Sequence, residues 1–143
     1  HPWQEWWASV ERELNHNGGV VVNALGYQRT LRDPDGHNRV KDALATLPQS
    51  TVASLMNRAI IRVHDDLDRQ GEIELLHQVH DSLALQSLPE YLNEAISGVR
   101  ERMEVPFAIH GRRLHIPTDV SLSGVGGSWG SVVKLAGGKF AVA

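Results

Sequence analysis

Apolar positions near the start of the chain recur at helical spacing. Trp3, Trp7, Val10 and Leu14 form one stripe, which predicts a helix over 2–15 closed by the Asn15–Gly19 stretch. Trp6 falls off that stripe and is expected to face a neighbour. Two short extended pieces, 20–22 and 28–31, flank Asn23–Gly26, and "RDPDGHN" at 32–38 is expected to form a turn-rich loop. Val52, Met56, Ala59, Ile60, Val63 and Leu67 then define the clearest helix, from about Ser50 to Arg69, with Gly71 as its stop. From residue 73 the period changes to two. Ile73, Leu75, His77 and Val79 share one face, and Glu74, Leu76, Gln78 and His80 the other. A tight turn at His80-Asp81 would return the chain along 82–86 as a hairpin. Ser87 and Glu90 have the spacing of a capping box ahead of a third helix carrying Leu92, Ala95, Ile96, Val99 and Met103. Leu114, Ile116, Thr118, Val120 and Leu122 predict a last strand, and a glycine-rich tail follows from about 124 to 143. Helices segregated against a small antiparallel sheet make an α+β domain.

Composition narrows the class without naming a function. The 143 residues suit one domain, and 41% hydrophobic with 22% charged residues describes an ordinary globule. No apolar run approaches the ~18 residues of a membrane span, so no membrane partner is expected. No basic, apolar leader is visible at the N-terminus, and an intracellular, cytoplasmic location is the default expectation. The absence of cysteine excludes disulfides and thiolate zinc sites. A net charge of −3 argues mildly against a dedicated nucleic-acid coat protein while allowing local basic patches. The numbering starts at His1, as expected of a processed chain, a trimmed one or a piece of a longer one.

The polar interruption in "ELLHQVHDSLAL", 74–85, is the chemical question the sequence poses. A hydrolase triad is disfavoured, because triads are assembled from separate segments and consecutive residues cannot stack into the relay. A metal site at His77-x-x-His80 is disfavoured too, since an offset of three on a strand points the rings to opposite faces. A carboxylate displayed on a hairpin tip suits a divalent cation better, because magnesium is commonly held by one or two carboxylates plus substrate phosphates. Against this stands the simpler reading, in which Asp81 is a good turn residue with His80 beside it. Pattern alone leaves both open.

"LLHQVHDSLAL" resembles the third palm motif of the family A, polymerase I type, DNA polymerases, with Gln78, Val79, His80 and Asp81 in register. The neighbouring segments resemble that family in the same order. "VVVNALGYQRTL" is similar to its Asn-x-x-Gly-Arg-x-Arg stretch, and "VKDALATLPQSTVASLMNRAIIRVHDDL" to its glutamine-bearing helix start. "HPWQEWWASVEREL" looks like the preceding helix, and "LHIPTDVSLSGVGGSWG" like its closing strand and Gly-x-x-Trp. The resemblance covers nearly the whole chain and implies the C-terminal palm portion of a DNA polymerase, with residues 73–87 as a metal-binding hairpin.

The resemblance also implies roles. Asp81 would be one of two aspartates binding two Mg2+ ions, and His80 would position the primer terminus. Gln49 and Gln78 would approach the minor groove of the new base pair, and Lys41 would contact primer phosphate. Arg29, with Arg32, would extend the backbone footprint. Primer-template DNA and deoxynucleoside triphosphates are the implied partners. A remaining polymerase polypeptide carrying the first palm motif and the fingers is the third. Departures from the family pattern are Ser82 where it has glutamate, Ala45 for asparagine, Ser50 for glycine and Gln28 for a basic residue. They are expected of a divergent, phage- or plasmid-like member. They also leave room for a rival, a catalytically silent nucleic-acid-binding or assembly module that keeps the fold.

Overall fold

A computed structural model describes residues 1–135. It forms two compact units, His1–Asn57 and a second beginning at Arg58.

In the first unit, α1 (Pro2–His16) ends where Gly18 and Gly19 take left-handed backbone, φ 63° and 84°. The Gly19 N–H donates to the Leu14 carbonyl at 2.8 Å, closing the helix. Gly19 is also fixed by space, since a Cβ there would meet the Leu31 carbonyl oxygen at 2.8 Å. The chain then makes an antiparallel pair, β1 (Val20–Val22) and β2 (Gln28–Thr30), with Val20 opposite Thr30. Val10, Leu14, Val21, Leu31, Val40, Ala43 and Leu44 form the core, with Trp6, Trp7 and Leu47 packed against it. Trp6 thus turns inward, while Trp3 on the predicted stripe is 54% exposed and meets Trp6 edge-on at 5.1 Å. One helical turn near an end offers less to the core than the ring three residues further in.

The central helix corrects the sequence reading most. α2 runs Gly36–Leu67, not from Ser50, and it takes the end of the expected 32–38 loop into its first turn. Asp35 makes this start, its Oδ1 accepting from the His37 N–H at 2.9 Å while its carbonyl accepts from Arg39 at 3.0 Å. Pro48 lies inside the helix, where it removes one i→i−4 hydrogen bond. Hydroxyls follow it: Thr51 donates to the Leu47 carbonyl at 2.7 Å and Ser54 to that of Ser50 at 2.8 Å.

In the second unit, β3 (Ile73–Val79) and β4 (Ser82–Ser87) form the expected hairpin. The strict alternation fails within it. The register shifts between Leu75 and His77, so Leu76 bulges out and stands 56% exposed. A 3₁₀ turn at Pro89–Tyr91 precedes α3 (Leu92–Met103), and the Ser87 capping box is not formed. Gly98 packs so closely on Leu67 that a Cβ would lie 2.8 Å from both its methyl groups.

The single last strand is replaced by two separate pieces. β5 (Phe107–Ile109) pairs with β6 (Arg112–Leu114), and β7 (Ser121–Leu122) pairs with β8 (Val133–Lys134). Pro117 explains the break, since it lacks a ladder donor. The described part of the glycine-rich tail is thereby structured, with a 3₁₀ turn at Trp129–Ser131; its end, 136–143, lies outside the described residues. The architecture is α+β, with four two-stranded antiparallel sheets among the described residues in place of one small sheet. No helix among the described residues is long and apolar enough to cross a membrane.

Candidate functional site

The hairpin tip is a two-residue turn, with Val79 opposite Ser82 and His80-Asp81 between them. His80 has φ 52°, a left-handed conformation that costs a non-glycine residue about 1 kcal/mol or more. Two side chains stabilise it. Gln78 donates from Nε2 to the His80 carbonyl at 3.0 Å, and the Ser82 hydroxyl donates to the Val79 carbonyl at 2.8 Å. Ser82 therefore serves the turn itself.

The root of the hairpin is tied more heavily. Arg69 and Ile73 exchange two backbone hydrogen bonds, at 2.7 and 3.1 Å, and Leu88 donates to the Glu72 carbonyl at 2.9 Å. The Arg69 guanidinium meets Glu94 at 2.8 Å and Glu72 at 3.2 Å, and lies over the Tyr91 ring. The Glu94 hydrogen bond, with these carboxylates, raises its pKa above an already high value. Glu74 accepts from the Gly71 N–H at 2.7 Å and from the Gln86 amide. Against this knit base, the tip residues Gln78, His80 and Asp81 are exposed. The Asp81 carboxylate has no hydrogen bond or ion pair among the described residues.

A second polar constellation lies in the first unit. An open cleft of about 360 Å³ is lined by Tyr27, Arg29, Thr46, Gln49, Ser50, Ala53, Ser54 and Asn57. Asn23, buried, builds its wall. Its Oδ1 accepts from the Leu25 and Tyr27 N–H groups, both at 2.9 Å, and its Nδ2 donates to the Ser54 hydroxyl at 3.1 Å. That amide fixes the 23–27 loop to α2 and aims Tyr27 and β2 toward the cleft.

The structure thus groups Arg29 with Gln49 in one unit, and Gln78 with His80 and Asp81 in the other. Lys41 is exposed on α2 and is not among the cleft's lining residues. Tyr27, Thr46 and Asn57 were not foreseen, and neither was the organising role of Asn23. The signal for that role was present in "NALG", since an asparagine ahead of a glycine is an Asx-turn pattern. No group of three or more His, Asp or Glu able to enclose a metal occurs among the described residues. One carboxylate with its oxygens free fits a single-ligand contribution to a magnesium ion that takes its other ligands elsewhere.

Residues 3–131 match the model of the family described as DNA polymerase family A. This chain belongs to DNA polymerase family A. A relative, the "DNA polymerase I" of Chloroflexus aurantiacus (strain ATCC 29366 / DSM 635 / J-10-fl), is 31% identical over 132 residues. That alignment covers 88% of this chain and 14% of the relative, so the family A segment described here spans about a seventh of the curated protein it matches. The match takes in both constellations, the Asp81 hairpin and the Gln49 cleft.

Proposed function

We propose that this chain is the C-terminal palm portion of a DNA-directed DNA polymerase, in which Asp81 is a metal-binding aspartate. The observation that carries the reading is an exposed carboxylate with no partner among the described residues, held on a strained two-residue turn above a tightly bonded root. A residue chosen only for turn formation would relieve the strain at position 80 with glycine. A residue chosen for display needs the rigidity that Gln78, Ser82 and Arg69 supply.

In this reading Asp81 presents its oxygens to magnesium, and His80 meets the primer end. Two magnesium ions, when bound, favour loss of the primer hydroxyl proton and stabilise charge on the transferring phosphate. Gln78 holds the turn, and with Gln49 it offers an amide to the acceptors that every base pair shows in its minor groove. Arg29 and Lys41 bind template or primer phosphates. The second metal aspartate and the groups gripping the triphosphate come from polypeptide outside these residues, in keeping with the small share of the relative that is matched.

The test is Asp81→Asn in the full protein. Primer extension falls at least about a hundredfold, while affinity for primer-template and thermal stability stay unchanged, because the carboxylate supports nothing in the fold. The rival reading, a silent nucleic-acid-binding module, draws on Ser82, whose hydroxyl is turned to Val79 and leaves the tip one carboxylate. Unchanged extension in the variant would establish that rival and overturn the catalytic reading.

A further inference from the structure

We infer that the β5–β6 ribbon is a second, independent contact for the sugar-phosphate backbone of duplex DNA, made by Arg112 and Arg113. The proposal rests on the polymerase reading for its partner, but its site is separate from the Asp81 tip. Ile109 pairs with Arg112 and Ala108 with Arg113 around the His110-Gly111 turn. Both turn residues have left-handed backbone, φ 48° and 75°, the pattern of a tight hairpin whose twist matches its strands.

Neighbouring residues on a strand face opposite ways, so the two guanidinium groups stand on the two faces of the ribbon. Both arginines are exposed and neither has an ion-pair partner among the described residues. Arg69, Arg102 and Lys134, by contrast, all have carboxylate partners in this unit. From 105 to 118 the sequence carries no Asp or Glu at all, in a chain of net charge −3. Such a local excess of unpaired cations fits a polyanion. The ribbon is also mounted firmly. Glu104 at its base accepts from the Thr118 N–H at 2.8 Å and from the Thr118 hydroxyl at 2.7 Å, closing the loop that carries it. A two-stranded ribbon is narrow enough to lie in a DNA groove about 12 Å wide, where cations on both faces reach the phosphates on either side.

The experiment measures affinity of the full protein for a primer-template duplex by fluorescence anisotropy, without nucleotide, over a salt series. R112A/R113A is compared with R58A/R62A, which removes the same charge from an exposed stretch of α2. R112K/R113K checks for charge retention. The expected result is about tenfold weaker binding for R112A/R113A, with the log–log salt slope reduced by about two. R58A/R62A keeps the wild-type slope, and the lysine variant recovers most of it. An unchanged slope in R112A/R113A overturns the proposal and redirects the ribbon to an acidic protein surface. Equal losses in both alanine pairs overturn it as well, by reducing it to net charge. Absence of duplex binding by the wild type overturns both this proposal and the polymerase reading. A lost slope, together with undiminished extension by Asp81→Asn, leaves the ribbon contact standing and removes only the catalytic role.

Discussion

Two side chains show the two ways a single residue can stand to local stability, against it and with it. His80 occupies a backbone region that glycine enters freely, and its direct compensation is the Gln78 amide on its carbonyl, with the Ser82 hydroxyl bracing the turn at Val79. His80→Gly should therefore raise stability by up to about 1 kcal/mol, read as a higher denaturation midpoint at constant slope. Primer extension by the same variant should fall, because the ring that would meet the primer end is gone. A variant both less stable and fully active would remove the case for His80 as a displayed group. Asn23 is the opposite case, in which function of the fold and local satisfaction agree. Its three side-chain hydrogen bonds serve the 23–27 loop and α2, so nothing about it is strained.

Elements differ in how far their sequence declares them. α1, the β1–β2 pair, the hairpin turn and α3 are legible because apolar spacing and turn residues agree with the final packing. α2 is not, because Asp33-Pro34-Asp35-Gly36 reads as a loop and the apolar stripe is clear only from Val52, beyond Pro48. Asp35 caps a helix start there instead, and burial of Val40, Ala43 and Leu44 outweighs the bond lost at Pro48. The Leu76 bulge is equally invisible, since alternation continues in the sequence through a register shift that only pairing reveals. Of the candidate site, the Asp81 turn was legible from residue type and period, while the cleft depended on loop 23–27 folding back on α2. The packing of α3 offers a sharp test. Gly98→Ala places a methyl 2.8 Å from Leu67, and overpacking of this kind costs about 1–3 kcal/mol. Leu67→Ala opens a cavity of its own, yet the double variant should lose less than the sum of the two changes. Additivity in that cycle, measured by chemical denaturation, would mean the two helices do not meet there.

At the scale of the whole molecule, the ion pairs among the described residues are largely exposed, contribute little to folding and are screened by salt. Raising the pKa of Arg69 alters no protonation state in the working range of pH. Glu104 differs. The Thr118 hydroxyl, and then the Thr118 N–H, hold its carboxyl below the usual value of 4.5 against the cost of burial, with His115 adding a smaller pull. A folded-state pKa below the unfolded one means the native state prefers the charged form. Its contribution is therefore complete above about pH 5 and disappears as pH falls through the lowered value. Glu104→Gln should cost about 1–2 kcal/mol at pH 7, since hydrogen bonds to a charged acceptor are replaced by neutral ones. The gap between wild type and variant should narrow steadily between pH 5 and pH 3, both figures set by where an ordinary glutamate titrates. Denaturant titrations at pH 7, 5 and 3.5 measure it, and a gap that stays constant would assign Glu104 to packing alone.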